Sequence, residues 1–316
     1  MEVMKRELNV PSSDGVHTLR GVVLMPAGEA RGFLQVVHGM TEHIARYERW
    51  MRDMAERGWI CFGHDHLGHG RTADSDEELG YIAPRGGWEL LVRDVGAVCK
   101  AVFAEYGKTD GMPYCLMGHS MGSFVVRLAA AREVRPDRLI VMGTGGPNPA
   151  AGMGLFLASL IQKCKGERHI SPFLDKLAFG SYNKRFGGGS PSDPKPWLTN
   201  DDAVRARYYA DKYCTFSFTV SAMRDLIRLI KESNRKACYR AYAKDMQVLL
   251  VSGDEDPVGS YGRGVCRVCD SLQAQSIATE CILYDNARHE ILNDFTYADV
   301  LHDLASFCES GRVEID

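Results

Sequence analysis

Along the chain, short β-rich apolar runs alternate with longer stretches whose apolar residues recur every three or four positions. Runs at 32–37, 59–63, 114–117, 138–142, 247–251 and 277–284 read as strands. Between them, Ile44, Tyr47, Met51, Met54 and Ala55 form one helical stripe that ends at Gly58. Leu91, Val95, Val98 and Val102 form a second within 88–103, and 124–131 and 298–307 predict two more helices. Strands that alternate with helices in this way build a mostly parallel sheet covered on both faces. The runs 3–10 and 18–25 flank the turn Ser12-Ser13-Asp14-Gly15 and predict antiparallel strands at the start.

The alternation breaks at about residue 146 and resumes at 247. In between lie helix formers, loop residues and the break Gly187-Gly188-Gly189-Ser190-Pro191, but no strand-like run. The expected organisation is a core domain, 1–145 with 236–316, carrying a mainly helical cap at 146–235.

Composition narrows the function. With 316 residues and 45% hydrophobic content, the chain is long enough for one large core with an insertion. A formal net charge of -3, with no long Lys/Arg run, excludes the positive field of a nucleic-acid binder. The start, Met1 to Glu7, is charged where a secretory signal requires an apolar run, and the ten cysteines are scattered, so a reduced, cytoplasmic setting is expected. Cys266 and Cys269 form the one CxxC, with no second pair to complete a zinc site. No apolar run reaches the roughly 20 residues that span a bilayer. The apolar stretch 152–161 reads instead as a cap helix, expected to line an acyl passage and to touch a membrane surface peripherally.

The chemistry centres on Gly118-His119-Ser120-Met121-Gly122, which lies between a buried strand and a good helix. The two glycines allow strand and helix to approach closely enough to hold the serine in a strained, exposed turn. This is the nucleophile elbow of the α/β-hydrolase fold, and Ser120 is the predicted nucleophile. The N–H of Met121 opens the following helix and is one predicted oxyanion donor; the N–H of Met40, in the loop after strand 32–37, is the second. In this fold an acid and then a histidine follow the serine along the chain. The turn 252–258 offers Asp254, Glu255 and Asp256, and the loop 286–290 offers His289; His302 falls inside the last helix pattern. The segment His64-Asp65-His66-Leu67-Gly68-His69-Gly70 is rich in metal-ligand types, but its spacing suits a glycine-rich scaffold loop, so no metal and no cofactor is expected.

Three segments, 38–48, 64–71 and 118–122, together with those around Asp256 and His289, resemble the monoacylglycerol lipase and lysophospholipase branch of the α/β-hydrolases. The likeness extends to cap segments 197–199 and 213–219. It selects Asp256 as the acid through the pattern Gly-x-x-Asp, leaving Asp254 to cap the turn or the next helix. It implies an eight-stranded sheet and ester hydrolysis on a lipid with one acyl chain and a small polar head. Glu42 and Arg46 match positions near the head-group end of the pocket, and a fold-stabilising ion pair between them is the alternative. Thr41 stands where the family has glycine. A general carboxylesterase and a peptidase resembling proline iminopeptidase share the scaffold; a non-catalytic relative would have lost a triad member.

Overall fold

The computed structural model describes residues 2–313. The strands are β1 (Met4–Pro11), β2 (Thr18–Met25), β3 (Gly32–Val37), β4 (Trp59–His64), β5 (Tyr114–His119), β6 (Arg138–Met142), β7 (Gln247–Gly253) and β8 (Ala278–Tyr284). They form one eight-stranded sheet in the order β1-β2-β4-β3-β5-β6-β7-β8. β1 and β2 are antiparallel, as is β2 against β4, and every later pairing is parallel. β3, β4 and β5 are buried throughout, which explains their unbroken apolar sequences.

Side chains alternate between two cores. On one face Leu34, Val36, Cys115 and Met117 meet α1 (Glu48–Glu56) and the C-terminal helix, Tyr297–Ser310. On the other, Phe33, Val37 and Leu116 meet α2 (Gly87–Tyr106) and α3 (Met121–Arg132). The stripe that starts at Ile44 opens with a 3-10 turn before α1, and the N–H of Ile44 goes to the Asp65 carboxylate at 2.8 Å. The same carboxylate accepts the N–H of Arg71 at 2.8 Å, so Asp65 folds its own loop.

Between β6 and β7 lie α4 (Ala151–Lys165), α5 (Pro172–Phe179), α6 (Asp202–Ala210), α7 (Val220–Ser233) and α8 (Lys236–Arg240). Among the described residues this stretch adds no strand, only an isolated bridge between Ile170 and Thr219. Side-chain oxygens of Ser171, Asp201 and Thr219 cap the starts of α5, α6 and α7. Arg127, fully buried on α3, holds the far end of the excursion through Ser233 O, Asn234 Oδ1 and the Tyr239 hydroxyl at 2.6–2.9 Å. After β7 come α9 (Arg263–Gln273), β8 and α10 (Tyr297–Ser310). No helix of the described residues is long and apolar enough to cross a membrane.

Candidate active site

Ser120 occupies the turn between β5 and α3 with φ 53° and ψ -119°, a conformation a non-glycine residue adopts only under constraint. The constraint is close packing: a Cβ on Gly118 would collide with the carbonyl of Gly122, and one on Gly122 with the carbonyl of Val37. Met121 is the first residue of α3, and its N–H has no intrahelical acceptor. Among the described residues, nothing accepts the N–H of Met40 either. Met40, Ser120, Met121 and His289 all line one cavity of about 790 Å³.

Asp256 and His289 follow neighbouring strands, β7 and β8. The Nδ1 of His289 lies 2.8 Å from Asp256 Oδ2, and the residues are 2% and 0% exposed, too little for water to compete for that bond. The remaining valences of Asp256 are filled by the Val258 N–H at 2.8 Å and the Ser252 hydroxyl at 3.3 Å. Asp254 does not cap as expected: its Oδ1 is buried without a partner, and α9 opens at Gly262. The excursion holds the histidine loop from above, for the N–H of Glu290 goes to Leu198 O at 2.7 Å and the Trp197 ring lies 5.1 Å from the His289 ring.

Behind the histidine lies a buried polar network that the sequence reading caught only in part. Arg46 forms a fork onto Glu290 at 2.7 and 2.8 Å and reaches Glu42 at 2.8 Å. Glu42 also accepts the N–H of Gly39 at 2.5 Å and the Tyr47 hydroxyl at 2.8 Å. Burial opposes the charge on Glu42, but the bonds from His119 and Arg46 outweigh it and hold the carboxyl well below its usual range. Burial likewise opposes a charged His119, and Glu42 reverses this and raises its pKa. The His119 Nδ1 faces the Tyr47 hydroxyl at 2.7 Å and its Nε2 faces the carbonyl of His289 at 3.1 Å, both oxygens able to accept, which suits an imidazolium. Glu42 lines the cavity, whereas Arg46 stands behind it. The two form an ion pair, with Arg46 turned to Glu290 and Glu42 facing the cavity as well.

Thr41 has φ 51°, in the region that favours glycine, and its hydroxyl lies 2.8 Å from that of Tyr208. The expectation that 152–161 lines the acyl passage is not met. The inner side of α4 packs on α7, and the cavity wall comes from α5 and α7. Met153, Phe156 and Leu160 of α4 and Phe173 of α5 face outward, 49–64% exposed, whereas Leu177, 57% exposed, borders the cavity. Glu290, Tyr47, Tyr208 and Lys195 were missed as site residues. The position of Glu290 beside His289 and that of Tyr47 in the segment 38–48 were the available signals, since Lys195 and Tyr208 belong to no motif.

Side chains that could close on a metal ion, among the described residues, are His43, Asp211 and Cys214, and His17, Asp74 and Glu78; neither group includes His64, His66 or His69.

The family model Hydrolase_4, described as serine aminopeptidase, S33, matches residues 28–296. The chain belongs to this family. Among relatives of the chain, the monoacylglycerol lipase of Mycolicibacterium smegmatis is 26% identical over 95% of this chain and 99% of its own. Human monoglyceride lipase is 34% identical, but the match spans only 34% of this chain and 33% of the human protein. A thermostable carboxyl esterase from Bacillus coagulans, solved with glycerol, superimposes with a TM-score of 0.88 at 28% identity, covering 96% of this chain and 98% of the esterase. A soluble variant of Saccharomyces cerevisiae monoglyceride lipase, with a TM-score of 0.75 and 18% identity over 100% of this chain and 97% of that one, shares the fold. The relatives and solved structures named here are lipases and an esterase.

Proposed function

We propose that the protein is a serine esterase that hydrolyses lipids with a single acyl chain through an acyl-enzyme intermediate. The observation that carries this reading is the buried Asp256–His289 bond at the wall of the same cavity that receives the strained Ser120. His289 takes the proton of Ser120 as the hydroxyl attacks the ester carbon, and Asp256 fixes the ring's tautomer and supports its charge. The N–H groups of Met40 and Met121 receive the carbonyl oxygen as it becomes an oxyanion. The C–O bond to the alcohol then breaks, His289 returns the proton to the leaving oxygen, and water attacks the acyl-enzyme by the same route in reverse.

The excursion 146–235 acts as the cap in this reading. Phe179, Phe216, Phe218, Leu226 and Ile230 form apolar wall suited to an acyl chain. The outward apolar residues of α4 and α5, with Lys163, Lys165 and Lys176 on the same helices, suit shallow contact with an anionic lipid surface. A hydrolysis panel of monoacylglycerols, p-nitrophenyl esters of rising chain length and aminoacyl amides, with Ser120→Ala as the blank, tests the reading. Monoacylglycerol turnover abolished by the substitution is expected. Preference for short esters would reduce it to a general carboxylesterase, and preference for amides would overturn it.

A further inference from the structure

The polar end of the cavity holds a cation with no counter-ion. Lys195, from the loop before α6, is partly buried and lines the cavity with Glu42, His289 and Glu290. Its Nζ donates to the Tyr208 hydroxyl at 3.1 Å and lies 4.9 Å from the centre of that ring, and among the described residues it has no ion-pair partner. The nearby carboxylates are committed elsewhere, since Arg46 occupies both oxygens of Glu290 and one of Glu42. Glu290 and, more weakly, Asp175 act on Lys195 only through space, without an ion-pair contact. Burial lowers the pKa of Lys195 below its ordinary value, so its charge is held there at a cost.

We propose that Lys195 recognises an anionic group, a phosphate or carboxylate, on the alcohol side of the ester. This rests on the esterase reading above and deepens it. The side is set by the lining: the apolar wall takes the acyl chain, while Lys195 stands at the polar end, joined through Tyr208 to Thr41, the residue after the predicted oxyanion donor Met40. An oxyanion there replaces the water lost by the ammonium with a charge-assisted hydrogen bond. A neutral glycerol head cannot neutralise the charge. Lys195 is thus a specificity-determining residue and not a catalytic one.

Two measurements test this. First, kcat/KM is compared for lauroyl glycerol, lauroyl glycerol phosphate and O-lauroyl glycerate. The wild type is expected to favour both anionic esters, and Lys195→Met to reduce the anionic-to-neutral ratio about tenfold or more, with Lys195→Arg restoring most of it. A ratio equal in wild type and Lys195→Met, with both melting alike, overturns the proposal. Second, calorimetry of octyl phosphate on the Ser120→Ala variant reads the anion site without turnover. Added Lys195→Met should weaken that binding by a similar factor; unchanged affinity refutes the assignment even if no ester is hydrolysed, a result that would count separately against the esterase reading. Inorganic phosphate that displaces octyl phosphate at comparable concentration would make the site one for a free anion and overturn the substrate-borne assignment.

Discussion

The hydroxyls of Thr41 and Tyr208 lie 2.8 Å apart, and the Tyr208 hydroxyl also donates to the Thr41 carbonyl at 2.8 Å. A threonine in the glycine-favoured region costs about 1 kcal/mol or more, and the tyrosine from α6 holds it there. Tyr208→Phe is expected to lower stability by about 1 kcal/mol and kcat by roughly tenfold, because the adjacent Met40 N–H loses its fixed direction. Thermal melting and steady-state kinetics check this; an unchanged kcat would mean that the loop holds itself.

Gly122→Ala should be far more damaging than an ordinary helix substitution. Its Cβ meets backbone at Val37 and His38, which cannot rotate away. A loss of more than about 3 kcal/mol, read from denaturant midpoints, is expected.

Asp225 on α7 is 1% exposed and packs against the first turn of α2, where the backbone N–H groups of Gly87 and Trp88 act on its carboxylate without offsetting its burial. Burial raises its pKa to about 7. The unfolded chain releases this proton near 3.8 and the folded chain near 7, so stability falls as pH rises between those values and the penalty is complete above 7. Asp225→Asn should remove that slope and stabilise the protein at pH 8 by on the order of 2 kcal/mol. Equal urea midpoints for the two proteins at pH 8 would contradict it.

The buried rings of His38, His64, His66 and His69 titrate with the opposite sign. Burial lowers all four pKa values, those of His64 and His69 to about 4. The stability of the neutral rings is complete above the unfolded value of 6.5 and is lost as pH falls from there toward 4. Neither ring nitrogen of His64 has a protein partner. His64→Phe, close in volume, should be stability-neutral or better at pH 7 and should reduce the acid slope by about one proton, or about 1.4 kcal/mol per pH unit. Stability curves from pH 7 to 5 measure it.

Charging the outward face with Phe156→Glu and Leu160→Glu should weaken sedimentation with anionic vesicles about tenfold or more, while turnover of a water-soluble ester persists. Unchanged vesicle binding would remove α4 from the docking surface.

The sheet and its flanking helices were legible because the central strands are buried on both faces and helices such as α1 and α9 on one, so the two periodicities are written in the residues themselves. Ser120, Asp256 and His289 were legible as candidates because a GxSxG turn and two strand ends announce them; that Ser120 and His289 line one cavity, with Asp256 bonded to His289, depends on strand order, which no local pattern carries. The buried fork of Arg46 on Glu290 joins residues 244 positions apart, and the roles of Lys195 and Tyr208 depend on how the excursion folds back over the sheet. Contacts at that separation leave no periodic trace.

Among the described residues β8 is the outermost strand at one edge of the sheet, paired on one side only, and the proposed general base follows it directly. In the proposed mechanism the serine upstream has no base until that strand docks, so a chain still being synthesised is expected to be inert. For the same reason, mild heating that frays this border should silence the enzyme some degrees before the body of the molecule melts.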